Sequence, residues 1–329
     1  MTETSAIHSS SIHVSVLPRE VSEYLRFGTA GTFLDCTLGG GGHTAMMLQG
    51  NPASTVLAID RDEHAIRRGT ERFANECSRI RIEHGSFADL PEICGEQRFN
   101  GILADLGVST DQLKERRGFS FFDESPLDMR MDPSQVVSAY TVVNEYSERE
   151  LFQVLKRGGV GAEARGIVKS ILRSRPLSST KALADIIDQA VPAKFKKARF
   201  HAATVPFQAI RIEVNQELAQ IEALLSKAPD LMASNGRLAV IAFHSGEDRV
   251  VTQTMRRWEQ GEQLPALWRG NRSAPKVTVP GEKLTRSDRI AAGMKVGTVL
   301  TRKAVQPQED EVEGNSSARS SRLRVFEFD

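Results

Sequence analysis

Cysteine is scarce in this chain of 329 residues: Cys36, Cys77 and Cys94 are all there is, and no two stand in Cys-x-x-Cys spacing. That argues against a disulfide framework and a cysteine-based zinc site, and for reduced thiols in a reducing compartment. No apolar run approaches the eighteen or so residues that span a membrane. Met1 to Ser11 is polar and lacks an apolar core, so no secretory signal is expected and a cytoplasmic location is. An excess of one charge is missing as well. Lys and Arg number 43 against 42 Asp and Glu, a net charge of +1, so the total names no polyanionic partner. No internal repeat is visible. Neither the Gly-x-Gly-x-x-Gly spacing that serves a pyrophosphate nor a Gly-x-Ser-x-Gly nucleophile elbow occurs.

What the chain does have is a run of four glycines, Gly39 to Gly42, inside Asp35-Cys36-Thr37-Leu38-Gly39-Gly40-Gly41-Gly42-His43. The apolar Thr32-Phe33-Leu34 before it reads as a buried parallel strand ending at Asp35. A helix opening near His43 would aim its free N–H groups at the same space. A glycine run alone is also how a chain makes a flexible turn. The next unit favours a cofactor site: Ser54 to Ile59 is a second buried strand ending in Asp60, about twenty residues past the glycines, where a carboxylate meets ribose hydroxyls. Asp35 at the head of the loop would repel phosphate but suits the amino group of a methionine moiety. S-adenosylmethionine therefore fits better than NAD.

Strand and helix signals alternate through the first half. A helix opens at Pro18, another runs from Glu63 to Cys77, a strand nearer the sheet edge from Arg79 to His84, and a fourth strand from Asn100 to Asp105. Such a βαβ series predicts an α/β fold with a doubly wound parallel sheet. From Arg116 to about Thr204 the pattern is helical instead, with a capping box at Ser147 and Glu150, apolar periodicity at Ile167, Ile171 and Leu172, and a helix from Thr180 to Ala190. One long amphipathic helix is expected to carry Phe207, Ile210, Val214, Leu218, Ile221 and Leu225 on a single face. The sheet resumes at Arg237 to Phe243, with later strands at Val296 to Leu300 and Leu323 to Phe328. Gln308 to Ser317 reads as a mobile loop. The division is thus 1–115 and 205–329 for a sheet domain in two parts, with a helical domain inserted at 116–204.

The even charge total hides an uneven distribution. Eleven basic residues face three acids between Lys156 and Arg199, and eleven face four between Arg256 and Lys303. Such segments are the electrostatic footprint of a phosphate backbone, or simply solvated faces. Lys194, Lys196, Lys197 and Arg199 are the densest candidates for contact with a polyanion. Asp105 closes strand four, where an amino-group methyltransferase needs an acceptor to hold a poorly nucleophilic exocyclic amine. An acidic strand end is also an ordinary turn-former, and both readings stand on the residues alone. Phe87, after strand three, could cover an adenine or pack the core. Two dense clusters remain: Arg117 to Phe121 leading into Pro126 to Asp132, and Phe243 to Arg249. His244 beside Ser245 raises a hydrolase, which the missing elbow opposes.

In order along the chain, Asp35 to His43, Ala58 to Asp62, Asp105 to Gln112, Arg117 to Phe121, Pro126 to Asp132, Phe207 to Ile212 and Phe243 to Arg249 resemble one family, the bacterial 16S ribosomal RNA cytosine-N4 methyltransferases of type H. The resemblance runs from about His13 to Arg324. It implies a class I methyltransferase sheet with an inserted helical domain and S-adenosylmethionine as cofactor, with no metal. Methyl transfer would be direct and in line, to N4 of cytidine 1402 in the decoding centre of the small ribosomal subunit. It carries cofactor contacts onto Gly41, Gly42, His43, Asp60, Phe87, Asp105 and Gln112; the need for an acceptor at the strand end makes Asp105 the catalytic candidate as well, and a homodimer is an assembly the chain could adopt. The chain departs from the usual pattern at Val205 and Pro206, at Gly246 and at Thr110-Asp111. An NAD-dependent oxidoreductase and a catalytically silent RNA-binding assembly factor are the competing classes. The first lacks its glycine spacing, and the second has no need of the loop, Asp60 and Asp105.

Overall fold

Four runs pair in parallel because each is joined to the next by a helical crossover, and three of them are apolar and mostly buried while the fourth alternates charged residues. In the computed structural model, which describes residues 15–109, 112–113, 115–122, 124–193, 201–262 and 284–329, these are β1 (Thr32–Asp35), β2 (Thr55–Asp60), β3 (Ile80–His84) and β4 (Phe99–Asp105). They are interleaved with α1 (Pro18–Leu25) ahead of β1, then α2 (Gly42–Gly50), α3 (Glu63–Arg72) and α4 (Leu90–Cys94). After an excursion come β5 (Met232–Ala242), β6 (Gly297–Val299) and β7 (Arg322–Phe328). The seven strands lie in the order β3-β2-β1-β4-β5-β7-β6. β1 to β5 run parallel, and β7 is antiparallel to both β5 and β6. This is the expected doubly wound sheet of class I methyltransferase type, with β3 at its edge as its charged alternation implies.

Helices cover both faces. On one, Leu34, Leu57, Ile102 and Leu238 meet Leu224, Leu225 and Trp258; on the other, Phe33, Val56, Leu103 and Ile241 meet Val21, Met47 and Leu48. The excursion between β4 and β5 builds a separate core. It uses α5 (Ala139–Asn144), α6 (Glu148–Arg157), α7 (Ala164–Ser174), α8 (Thr180–Ala190) and α9 (Thr204–Asn215). Val142, Leu151, Ile167, Leu183 and Ile210 pack together in it. The Ser147 capping box forms as its spacing implies, with Ser147 and Glu150 exchanging side-chain and backbone bonds.

Two expectations need correction. The single long helix from Phe207 to Leu225 is two helices, α9 and α10 (Glu217–Leu231), broken at Gln216, which takes a left-handed conformation with φ 49°. The break lets Phe207, Ile210 and Val214 join the helical core while Ile221 and Leu225 join the sheet core. One face on paper serves two cores in space. The loop expected at Gln308 to Ser317 contains α13 (Glu309–Gly314), then a 3₁₀ turn at Ser316–Ser320. It is tied down by Glu311, whose carboxylate accepts the Leu17 N–H at 2.6 Å. Acidic composition suggested disorder, but this long-range bond, the Asn315 cap on Ser317 and the burial of Ala318 hold the segment in place. After β5 the chain continues through α11 (Ser245–Gln260) and α12 (Arg286–Ala291).

Candidate active site

Register brings three carboxylates to one edge of the sheet. Asp35, Asp60 and Asp105 each end a parallel strand, so their side chains gather where β1, β2 and β4 open into loops. The glycine loop leaves this edge and is shaped by its neighbours. Gly39 donates its N–H to Asp60 Oδ2 at 2.8 Å, and Leu38 donates to the Ile59 carbonyl at 2.9 Å. Thr37 Oγ1 accepts the Asp105 N–H at 2.7 Å. Gly41 sits at φ 75° before α2, and a Cβ there would lie 2.8 Å from the Phe73 ring. Its lack of a side chain thus serves the turn and the packing, whereas Gly39, Gly42 and His43 line the cleft in front.

That cleft encloses about 1190 Å³, open solvent at its mouth included. Asp60, Phe87, Asp105 and Gln112 line it together with Gly42 and His43, so six of the seven expected cofactor residues converge there and Gly41 supports them from behind. Burial pushes the Asp60 carboxyl up to about 6, despite the N–H bonds from Gly39 and from Asp62. Asp35 does not serve as expected. It is buried, takes the Thr44 hydroxyl at 2.6 Å and the Thr37 N–H at 3.1 Å, and stays out of the cleft lining. Its two oxygens brace the loop and α2, and its burial behind the cleft wall keeps it from meeting an amino group there.

Gln112 is held on both sides: its Oε1 accepts the Ser109 N–H at 3.0 Å and its Nε2 donates to Asp62 Oδ2 at 2.8 Å. The same Asp62 oxygen accepts from Arg117 at 2.7 Å. Burial works against that charge, but Gln112 and Arg117 outweigh it and hold the Asp62 carboxyl below the usual carboxylate range. Arg117 also donates to the Arg130 and Met131 carbonyls, each at 2.7 Å. Arg61 bonds the Asn215 carbonyl at 3.0 Å, and the Asn215 side chain clamps the Met131 N–H and the Met129 carbonyl. Three consecutive residues at the end of β2 therefore reach the glycine loop, the end of α9 and the Arg117 cluster. The sequence marked that cluster as functional; its charges join the helical core to the cleft.

The cluster after β5 divides its labour. Phe243 and Glu247 line the cleft, whereas His244 caps α11 by accepting the Gly246 and Glu247 N–H groups at 3.2 and 3.3 Å. Asp248 pairs with Arg324 at 2.7 Å. Glu217, His244 and Glu247 place one ligand atom each within 4.8 Å of one another, a spacing a metal ion could use. Both Glu217 oxygens already hold the Arg211 fork at 2.7 and 2.8 Å, and Glu247 Oε2 accepts the Phe243 and His244 N–H groups. Burial opposes charge on Glu247, yet these partners keep its carboxyl below the usual range. An ion-paired network is the better description.

Met131, Glu217, Gln220, Asn315 and Ser317 complete the far part of the cleft. Sequence reasoning missed Glu217 and Gln220 because it continued a helix through Gln216, and Asn315 and Ser317 because it left their segment a loop. Lys194, Lys196, Lys197 and Arg199 lie outside the described residues. Among the described residues, no helix is long and apolar enough to cross a membrane.

Comparison with known proteins adds the family. The chain is 39% identical over 320 residues to the ribosomal RNA small subunit methyltransferase H of Synechococcus elongatus, covering 97% of this chain and 95% of that one. It is 39% identical over 323 residues to the protein of the same name from Thermosipho melanesiensis, covering 96% and 97%. Among solved structures, an rRNA methylase from Streptococcus thermophilus aligns over 98% of this chain and 99% of its own at 12% identity, with a TM-score of 0.37. The model of the MraW methylase family matches residues 10–329. With nearly its whole length inside that match, the chain belongs to the MraW methylase family.

Proposed function

We propose that this methyltransferase modifies the exocyclic N4 amine of a cytidine in 16S ribosomal RNA, cytidine 1402 of the decoding centre. Membership of a methylase family makes the chain a methyltransferase, with S-adenosylmethionine as its cofactor. The observation that supports the finer reading is the convergence on one cleft of Asp60, Phe87 and Asp105, one of whose oxygens has no partner among the described residues.

The cleft fits the cofactor chemically. Gly39 and Gly42 keep side chains off its wall, Asp60 keeps acceptor capacity beyond its two N–H bonds for ribose hydroxyls, and Phe87 offers an apolar face to a purine. When bound, S-adenosylmethionine supplies a methyl group on a sulfonium for direct in-line transfer. The chain's own part is positioning. Asp105 Oδ1 is buried and finds no partner among the described residues, so it can accept an N–H bond from the entering amine and orient its lone pair. Gln112 acts through the loop it fixes, and Gly41 through the turn.

We read residues 116–204 as the inserted domain that meets the RNA, with α9 packed onto it, and 1–115 with 205–329 as the methyltransferase domain. Lys194, Lys196, Lys197 and Arg199 would contact phosphates flanking a base extruded from its stack. The cytoplasm, where small subunits assemble, is the proposed location. Incubation with labelled S-adenosylmethionine and unmodified small subunits, followed by mapping of the label, tests the reading. Label on a single cytidine N4 is expected; label on another base or on protein would overturn it.

A further inference from the structure

His43 opens α2 on the floor of the cleft, and its side chain is only 6% exposed. Neither ring nitrogen has a hydrogen-bond partner among the described residues. Burying an imidazole with both nitrogens unpaired is costly, and such a group calls for a reason. The nearest charge supplies one. Nε2 lies 3.7 Å from Asp105 Oδ2, while the other Asp105 oxygen is the buried, unpartnered Oδ1. The two side chains thus form a pair whose open atoms are a carboxylate oxygen and both imidazole nitrogens. A small change in either torsion brings them within hydrogen-bond reach, and catalytic hydrogen bonds often tighten only when substrate is present.

We propose that His43 is the proton acceptor of the methyl transfer, receiving through Asp105 the proton that the amine must lose. The inference rests on the amine-methylating function proposed above. The balance is simple. The amine nitrogen forms its bond to the methyl carbon as the carbon–sulfur bond breaks with its electron pair going to sulfur. One N–H proton passes to Asp105 and on to His43 Nε2, and the N–H pair returns to nitrogen. Asp105 ends as a carboxylate and His43 as an imidazolium, which loses its proton to water at the cleft mouth before the next turnover.

Four carboxyl groups surround the ring or line the same cleft. Asp105 faces the ring from β4. Asp35 lies behind it on β1, close enough for the two charges to interact, and is fixed by Thr44 and Thr37. Asp60 of β2 stands across the glycine loop, and Glu247 of α11 lines the same cleft. All four are acids. Histidine is the side chain suited to gain and lose a proton near neutral pH, and glutamine at this place could only donate or accept a hydrogen bond.

The test is His43→Gln with S-adenosylmethionine and unmodified small subunits. Turnover is expected to fall about a hundredfold or more, the scale of a lost general base. The acid limb of the pH–kcat profile should flatten, and the loss of turnover should persist at saturating cofactor, whatever the change in cofactor Kd. His43→Ala should regain turnover with added imidazole, in proportion to its free base, and its melting curve shows whether the variant is folded. A weakened Kd with turnover restored at saturating cofactor would make His43 a cofactor ligand and overturn the proposal. So would unchanged turnover, or a loss that imidazole leaves untouched in a folded variant. If the unaltered enzyme labels no RNA amine, the function reading itself fails, and this proposal with it.

Discussion

Gly39 gives its N–H to Asp60 at 2.8 Å, so the carboxylate expected to meet the cofactor ribose also sets the shape of the glycine loop. Asp60→Ala therefore removes two things, an acceptor for ribose hydroxyls and the clasp of the loop. S-adenosylmethionine binding should weaken by about 1.5–3 kcal/mol, the scale of a hydrogen bond to a charged group. Calorimetry reads this directly; unchanged affinity would take Asp60 out of the site.

The same residue predicts a pH dependence. Burial raises its carboxyl to about 6. Because the folded value lies above the unfolded one, the folded state binds the proton more tightly, and Asp60's contribution to stability is full below the unfolded value, about 4. That contribution is lost as pH rises through about 6. Cofactor binding runs the other way, since the ionised carboxylate is the stronger acceptor. Affinity for S-adenosylmethionine should rise as pH passes upward through about 6, and Asp60→Asn should flatten that rise.

Arg117 meets Asp62, a carboxylate with no exposed surface, and ties the helical core to the cleft. Arg117→Ala strands that buried charge with Gln112 and the His64 N–H as its remaining partners. A loss of about 3 kcal/mol in folding stability is expected, the lower end for a broken buried pair. Cofactor affinity should fall alongside, because Asp62 then holds Gln112 and its loop less firmly. Denaturant unfolding and calorimetry on the same variant check both; an unaltered midpoint would make Arg117 a surface charge.

Much of the sheet was legible in the sequence because most of its strands are apolar runs and three of them, β1, β2 and β4, close on an aspartate, a pattern that amphipathic helices and solvated loops do not make. The cofactor edge followed from the same punctuation. What escaped reading depended on single residues with no local signature. Gln216 adopts a left-handed conformation that neither glycine nor asparagine announces, and it divides one apparent helix between two cores. Glu311 ties an acidic segment to Leu17, far away in sequence. Asp35 has the right residue type at the right edge for a ligand, yet Thr44 and Thr37 occupy it. Partners brought together only by the fold decided each case.

Gln216 offers its own test. A left-handed residue with a Cβ carries about 1–2 kcal/mol of strain that glycine lacks, partly offset by glycine's greater freedom in the unfolded chain. Gln216→Gly should thus leave stability unchanged or raise it by up to about 1 kcal/mol. Gln216→Val should lower it, by urea unfolding. The opposite order would show that the side chain, not the backbone, holds the junction.

Neutralising Lys194, Lys196, Lys197 and Arg199 together should raise the Michaelis constant for the RNA substrate and flatten its salt dependence. Each lost phosphate contact removes somewhat under one unit from the slope in log salt. Cofactor affinity should not move. An unaltered slope would make the quartet a solvated face.

Asp105 is where positioning and chemistry meet. Its backbone N–H is fixed by Thr37, so the carboxylate is held at the strand end whether or not a ligand is present. Asparagine keeps the shape but trades one acceptor oxygen for a donor and removes the charge. If the oxygen that faces the cleft holds the reacting amine, that donor meets an N–H instead of accepting it, and the proton has no carboxylate to cross. Turnover should then fall about a hundredfold or more at saturating cofactor, the scale of a lost positioned electrostatic contact. If Asp105 serves only the cofactor, its apparent Kd should rise and turnover recover once it is saturated. Measuring kcat and Kd on the one variant separates these outcomes. Full activity at low cofactor concentration would defeat both, and leave Asp105 a strand-end carboxylate whose unpartnered oxygen has no chemical use.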